Sequence, residues 1–157
     1  KMKTRSYFFS VYEFTGGAHG NNAIASYNFT KDAQIKIEDA IDFNQKDYLV
    51  TYASLANLLK SKLLVSLAEN SNESTISEGL GLKYIKPDGT FDKQKCNCDG
   101  YYFPSNIQVF TIQDNGIKFI FGQYQVAAYV VGMPEVLVSW QEIKDYLVKD
   151  SYLLKNI

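Results

Sequence analysis

Polar and apolar residues alternate, imperfectly, from Ser6 to Phe14, a stretch rich in Tyr, Phe and Val, and the pattern predicts a strand. Ala23 to Thr30 (AIASYNFT) alternates again and predicts a second. The joining stretch, Phe14-Thr15-Gly16-Gly17-Ala18-His19-Gly20-Asn21-Asn22, gathers three glycines, two asparagines and the single histidine of the chain. Lys31-Asp32-Ala33-Gln34 reads as a turn, Ile35-Lys36-Ile37 as a continuation of the sheet, and Glu38-Asp39-Ala40-Ile41 as a short helical turn. A long helix is expected from about Lys46 to Ala68. Tyr48, Leu49, Tyr52, Leu55, Leu59, Leu63 and Leu67 recur there at three- and four-residue steps, a stripe suited to packing on a sheet. Asp47 falls in its first turn, where the helix dipole favours negative charge.

Glu69 to Glu78 (ENSNESTISE) is polar and reads as an exposed loop or a broken helix end. Lys86-Pro87-Asp88-Gly89 has turn chemistry. Ile107 to Ile112 and Ile117 to Phe121 read as strands joined by Asp114-Asn115-Gly116, a hairpin signal because Asn-Gly tolerates positive φ. Glu135 to Val138 is a further strand. Ser139-Trp140-Gln141-Glu142 is a capping box opening a final helix that buries Ile143, Tyr146 and Leu147. Hairpin strands with one long and one terminal helix give an α+β class: an antiparallel sheet with both helices packed on one face.

Composition narrows the picture. The 157 residues fit one domain with a real core, and 46% hydrophobic with 15% aromatic content is that of a globular chain. A net charge of −1 gives no support to nucleic acid or an anionic membrane as partner. No apolar run approaches the roughly 20 residues that span a bilayer. The opening Lys1-Met2-Lys3 reads as a trimmed mature chain, so the absence of a signal peptide carries little weight.

Candidate chemistry centres on His19. A serine hydrolase needs a nucleophile elbow, and no G-x-S-x-G occurs; metal hydrolases want at least two histidines. A structural or binding loop is the favoured reading, with Gly16 and Gly17 supplying positive φ. Glu38, Asp39 and Asp42 could form an acidic cluster, but helix starts attract carboxylates for dipole reasons alone. P-loop, dinucleotide and EF-hand motifs are all missing from the sequence, and no cofactor is expected. Cys96-Asn97-Cys98 lacks the further ligands of a zinc site, so no metal is expected. An i,i+2 disulfide is strained, which favours unpaired thiols on a surface loop, with oxidation as the alternative. Tyr124 to Gly132 (YQVAAYVVG) sets small residues between two tyrosines and reads as a crossing segment, with core packing or a tyrosine-lined contact surface as its role.

Two motifs in this order carry a resemblance. Thr15-Gly16-Gly17-Ala18-His19-Gly20 before a strand, and Gly116-Ile117-x-Phe119-x-Phe121 leading into Tyr124-x-Val126-Ala127-x-Tyr129-x-x-Gly132, resemble the RsiV-type extracytoplasmic domain. That family includes the C-terminal domain of a lysozyme-sensing anti-sigma factor, and it also occurs before some peptidoglycan deacetylases and in envelope lipoproteins. The resemblance implies a single domain over residues 1–157, with residues 1–10 the remnant of a preceding partner domain. It implies a periplasmic, secreted or lipid-anchored module that is not an enzyme, contacting a muramidase or peptidoglycan, with Gly16, Gly17, His19, Tyr124 and Tyr129 as binding residues and none catalytic. The alternative is an envelope hydrolase pairing His19 with a carboxylate.

Overall fold

The described residues form two three-stranded antiparallel sheets, not one. The computed structural model describes residues 2–43, 48–97 and 100–157. In the first sheet β1 (Arg5–Glu13) and β2 (Asn21–Phe29) form a nine-residue ribbon, joined at Asn28 and Phe29 by the short β3 (Gln34–Ile35). In the second, β5 (Gly116–Ile120) lies between β4 (Phe110–Gln113) and β6 (Glu135–Ser139).

The sheets stay separate because side chains, not a strand, occupy the outer edge of β4. Phe110 N–H donates to Ser26 Oγ at 2.9 Å, and Ile112 N–H donates to Ser6 Oγ at 2.9 Å. Asn28 Nδ2 donates to the Phe110 carbonyl, also at 2.9 Å. Ser6 and Asn28 are direct cross-strand partners, and Asn28 is only 1% exposed. Buried backbone groups must find partners, and here a polar row on the ribbon supplies them.

The helix α2 (Tyr48–Leu67) packs on β6 and buries Leu49, Tyr52, Leu55, Leu59, Leu63 and Leu67 of the expected stripe, together with Ala56, while Tyr48 is only half-buried. Lys46 and Asp47, the expected helix start, lie outside the described residues. Tyr52 is wholly buried, and its hydroxyl donates to the Leu80 carbonyl at 2.7 Å.

The polar stretch after α2 corrects the sequence reading. Following a 3-10 turn at Ala68–Asn70, Glu73–Gly79 forms a further helix, α3; the four-residue α1 (Ile37–Ala40) lies earlier in the chain. Asn72 caps α3 by accepting from Thr75 N–H at 2.9 Å, and one residue, Ile76, plugs it into the core. A seven-residue helix anchored by one isoleucine leaves no periodic stripe to read.

The hairpin forms, but Ile107 closes a 3-10 turn, so β4 starts at Phe110. Its two-residue loop is Asp114-Asn115, and Gly116 already pairs with Gln113. Gly116 does not hold a positive φ. Its missing side chain matters for another reason: a Cβ there would lie 2.1 Å from the Val138 carbonyl oxygen of β6.

The capping box forms as expected, with Ser139 N–H donating to Glu142 Oε2 at 2.9 Å. The terminal helix is nevertheless broken into α4 (Trp140–Ile143), a 3-10 turn and α5 (Tyr152–Asn156). Ile143 and Leu147 are buried, while Tyr146 is half-buried with its hydroxyl 2.8 Å from Ser54 Oγ. Cys96 is disulfide-bonded, not the free thiol expected; Cys98 lies outside the described residues. Among the described residues no helix is long and apolar enough to cross a membrane.

Candidate functional site

The loop between β1 and β2 turns on Gly16 and Gly17, whose φ values of +100° and +101° suit glycine. A Cβ on either would meet nothing within 4 Å, so backbone conformation and not crowding accounts for them. The turn delivers an exposed His19 beside Gly20. His19 Nδ1 lies 3.1 Å from the Gly20 carbonyl oxygen, which can only accept, so Nδ1 carries the proton. Nε2 is then the acceptor for the Tyr124 hydroxyl at 2.9 Å.

Tyr129 completes the cluster. Its ring stacks on the imidazole, with centroids 4.0 Å apart and planes at 23°, and its O–H donates to the same Gly20 carbonyl at 2.9 Å. The two tyrosine rings lie 5.5 Å apart. Three expected site residues from opposite ends of the chain therefore meet in one aromatic cluster. Gly16 and Gly17 shape the loop that brings His19 there.

Tyr124 is held in an unusual way. Its φ is +64°, the left-handed region that a bulky residue seldom occupies, and its side chain is 58% exposed. The turn is locked on both sides. Gln125 N–H donates to the Gly122 carbonyl and Gly122 N–H to Gln125 Oε1, each at 3.1 Å. Gln125 Nε2 donates to the Asn106 carbonyl at 2.7 Å, and Asn22 N–H donates to Gln123 Oε1 at 3.1 Å. Strain of this kind, about 1–3 kcal/mol, persists where the surroundings over-determine it, and it gathers at functional positions. The two glutamines were missed in the sequence, since a lone Gln on either side of a Tyr has no recognisable pattern.

Among the described residues His19 has no carboxylate partner, and no group of three or more His, Cys, Asp or Glu could hold a metal. The acidic residues near α1 serve other ends. Glu38 accepts from the Tyr102 hydroxyl at 2.8 Å, and Asp39 accepts from Lys36 N–H at 2.9 Å. Desolvation, and then the Glu38 contact, push the Tyr102 phenol well above its ordinary range.

Residues 29–141, well over half of the chain, match the family model described as Protein of unknown function (DUF3298). The chain belongs to the DUF3298 family. Tyr124 and Tyr129 fall inside the matched DUF3298 span, whereas the His19 loop precedes it. The chain is 26% identical over 159 residues to the peptidoglycan-N-acetylmuramic acid deacetylase PdaC of Bacillus subtilis, covering 98% of this chain but 28% of the deacetylase. A DUF3298 protein from Bacteroides fragilis aligns with a TM-score of 0.57 at 21% identity, over 92% of this chain and 49% of that one. A DUF3298 protein from Pseudomonas aeruginosa aligns with the same TM-score at 17% identity, over 94% and 56%. At these identities the two structures establish the α+β fold of the DUF3298 domain. The chain spans about half of each and little more than a quarter of the deacetylase.

Proposed function

We propose that this DUF3298 domain is an extracytoplasmic binding module, of the RsiV type, that engages peptidoglycan through the His19–Tyr124–Tyr129 cluster and catalyses no reaction. The observation that carries the reading is Tyr124, presented to solvent from a strained turn and locked against His19. Stacked rings with hydroxyl edges suit the faces and hydroxyls of a sugar. The match to a peptidoglycan deacetylase supports the ligand class. The disulfide at Cys96 supports an oxidising compartment outside the cytoplasm. The hydrolase alternative finds no support: both imidazole nitrogens are engaged, one by a carbonyl and one by a phenol.

Co-sedimentation with purified insoluble peptidoglycan tests the proposal. The wild-type protein pellets with the polymer, Tyr124→Ala and His19→Ala stay in the supernatant, and no soluble muropeptide is released. A second reading, capture of a muramidase by the same tyrosines, is distinguished by surface plasmon resonance against immobilised lysozyme. Binding to lysozyme alone would replace the ligand while keeping the site. Release of muropeptides that His19→Gln abolishes would replace the function.

A further inference from the structure

A second aromatic cavity, of about 440 Å³, shares no residue with the His19 cluster. Phe43, Tyr48, Phe91, Tyr101 and Tyr102 wall it, and the exposed Glu38 lines it as well. The rings are fixed from behind. Phe103, wholly buried, stacks on Phe91 with centroids 5.5 Å apart and planes at 24°, and it meets Tyr101 edge to face at 5.0 Å. The Tyr101 hydroxyl donates to Asn106 Oδ1 at 2.7 Å, and the Tyr102 hydroxyl donates to Glu38 Oε1 at 2.8 Å. Tyr101 and Tyr102 are nevertheless 44% and 43% exposed. Rings held in place yet open to solvent are preorganised for a ligand, which lowers the ordering cost of binding.

The cavity carries a negative charge. Among the described residues Glu38 has the Tyr102 phenol as its side-chain partner, and no Lys, Arg or His forms an ion pair with it. That charge bears on Tyr102 directly. After desolvation, the Glu38 hydrogen bond and charge hold the phenol above its ordinary range, and the neighbouring Tyr48 adds to the effect. Desolvation raises Tyr48 too. Both phenols are therefore neutral at pH 7, and their oxygens keep lone pairs that can accept.

We infer that this cavity binds a primary alkylammonium group, the chemistry of a lysine side chain. Aromatic faces attract a cation that comes within about 6 Å of their centres, and more strongly once water is displaced. Glu38 supplies the counter-charge, and the Tyr48 and Tyr102 oxygens supply neutral acceptors, so the three N–H bonds of an ammonium have three acceptors to meet. The methylene stem has Phe91 and Tyr101 to pack against, as the stems of long cationic side chains do on apolar surface. A neutral ligand would use the rings but leave the Glu38 charge uncompensated, and an anion would be repelled by it. A guanidinium is best matched by a carboxylate with both oxygens free for its planar fork, whereas Glu38 Oε1 is already engaged by Tyr102. The compact ammonium fits the remaining acceptors better.

NMR titration of the isotope-labelled protein with n-butylammonium, n-butylguanidinium and 1-butanol, at constant ionic strength, tests the inference. Butylammonium is expected to give saturable shifts at Phe91, Tyr101 and Tyr102 in the millimolar range, butylguanidinium weaker ones, and 1-butanol none at the same concentrations. Glu38→Gln keeps an acceptor for the Tyr102 hydroxyl but removes the charge, and it weakens butylammonium by about tenfold. Tyr101→Leu, which replaces a ring face with an aliphatic side chain, weakens it several-fold, and dispersed spectra show that both variants are folded. The inference is overturned if butylammonium gives no saturable shift at these residues, or if 1-butanol or butylguanidinium binds as well. Unchanged affinity in Glu38→Gln would overturn it equally. None of the probes carries a sugar, so this result stands apart from whether the His19 cluster engages peptidoglycan.

Discussion

Tyr124 combines an exposed ring with a backbone conformation suited to glycine, so its conservation of shape costs stability that a binding role would justify. Tyr124→Gly should relieve that strain. Its melting temperature is expected to equal or exceed that of the wild type, by up to about 1 kcal/mol in stability, while peptidoglycan binding is lost. A loss of more than about 2 kcal/mol would show that the ring contributes to stability and that the strain account is wrong. Glu142 gives a pH prediction at the same scale. The Lys62 ammonium at 2.8 Å, then the Ser139 hydroxyl and backbone N–H, hold its carboxyl at about 2, well below the ordinary 4.5. A depressed carboxyl stabilises the fold above its ordinary pKa and loses that contribution as pH falls through the folded value. Acid titration monitored by thermal melting should therefore show a steeper loss for wild type than for Glu142→Gln between pH 4.5 and about 2. Parallel curves would refute the assignment.

At the scale of elements, the long helix and the second hairpin were legible in the sequence because each repeats its signal: seven apolar positions on one helix face, and two strands flanking a turn pair. Leu59 is fully buried on that face, and Leu59→Ala is expected to cost about 2–5 kcal/mol by chemical denaturation. A cost below about 0.5 kcal/mol would mean that the site refills or the face is misassigned. The α3 helix and the division into two sheets were not legible, since one buried isoleucine and three polar side chains decide them. Ser6, Ser26 and Asn28 look like the ordinary polar face of a half-wet strand until β4 is seen to use them. Asn28→Leu leaves the Phe110 carbonyl without its buried donor, and a loss of about 1–3 kcal/mol is expected in the same denaturation experiment. A neutral substitution would show that the two sheets do not depend on this contact.

Across the whole molecule, the fold is a means of bringing distant segments together. The His19 loop hangs from the ribbon, the tyrosine turn follows β5, and the ribbon is fastened to the second sheet through β4. The residues of the candidate site could be named from the sequence, because a glycine-rich turn around a histidine and two tyrosines in a small-residue segment are unusual stretches. Their meeting could not, because Tyr124 reaches His19 from a left-handed turn that glutamines on either side hold in place. The measurement that tests the account most directly is an NMR titration of the wild-type domain with soluble disaccharide muropeptides. The account predicts shifts concentrated on the His19 ring and on the backbone amides of Gly20, Tyr124 and Tyr129, all lost in Tyr124→Ala. Saturable shifts that map elsewhere and survive that substitution would contradict it.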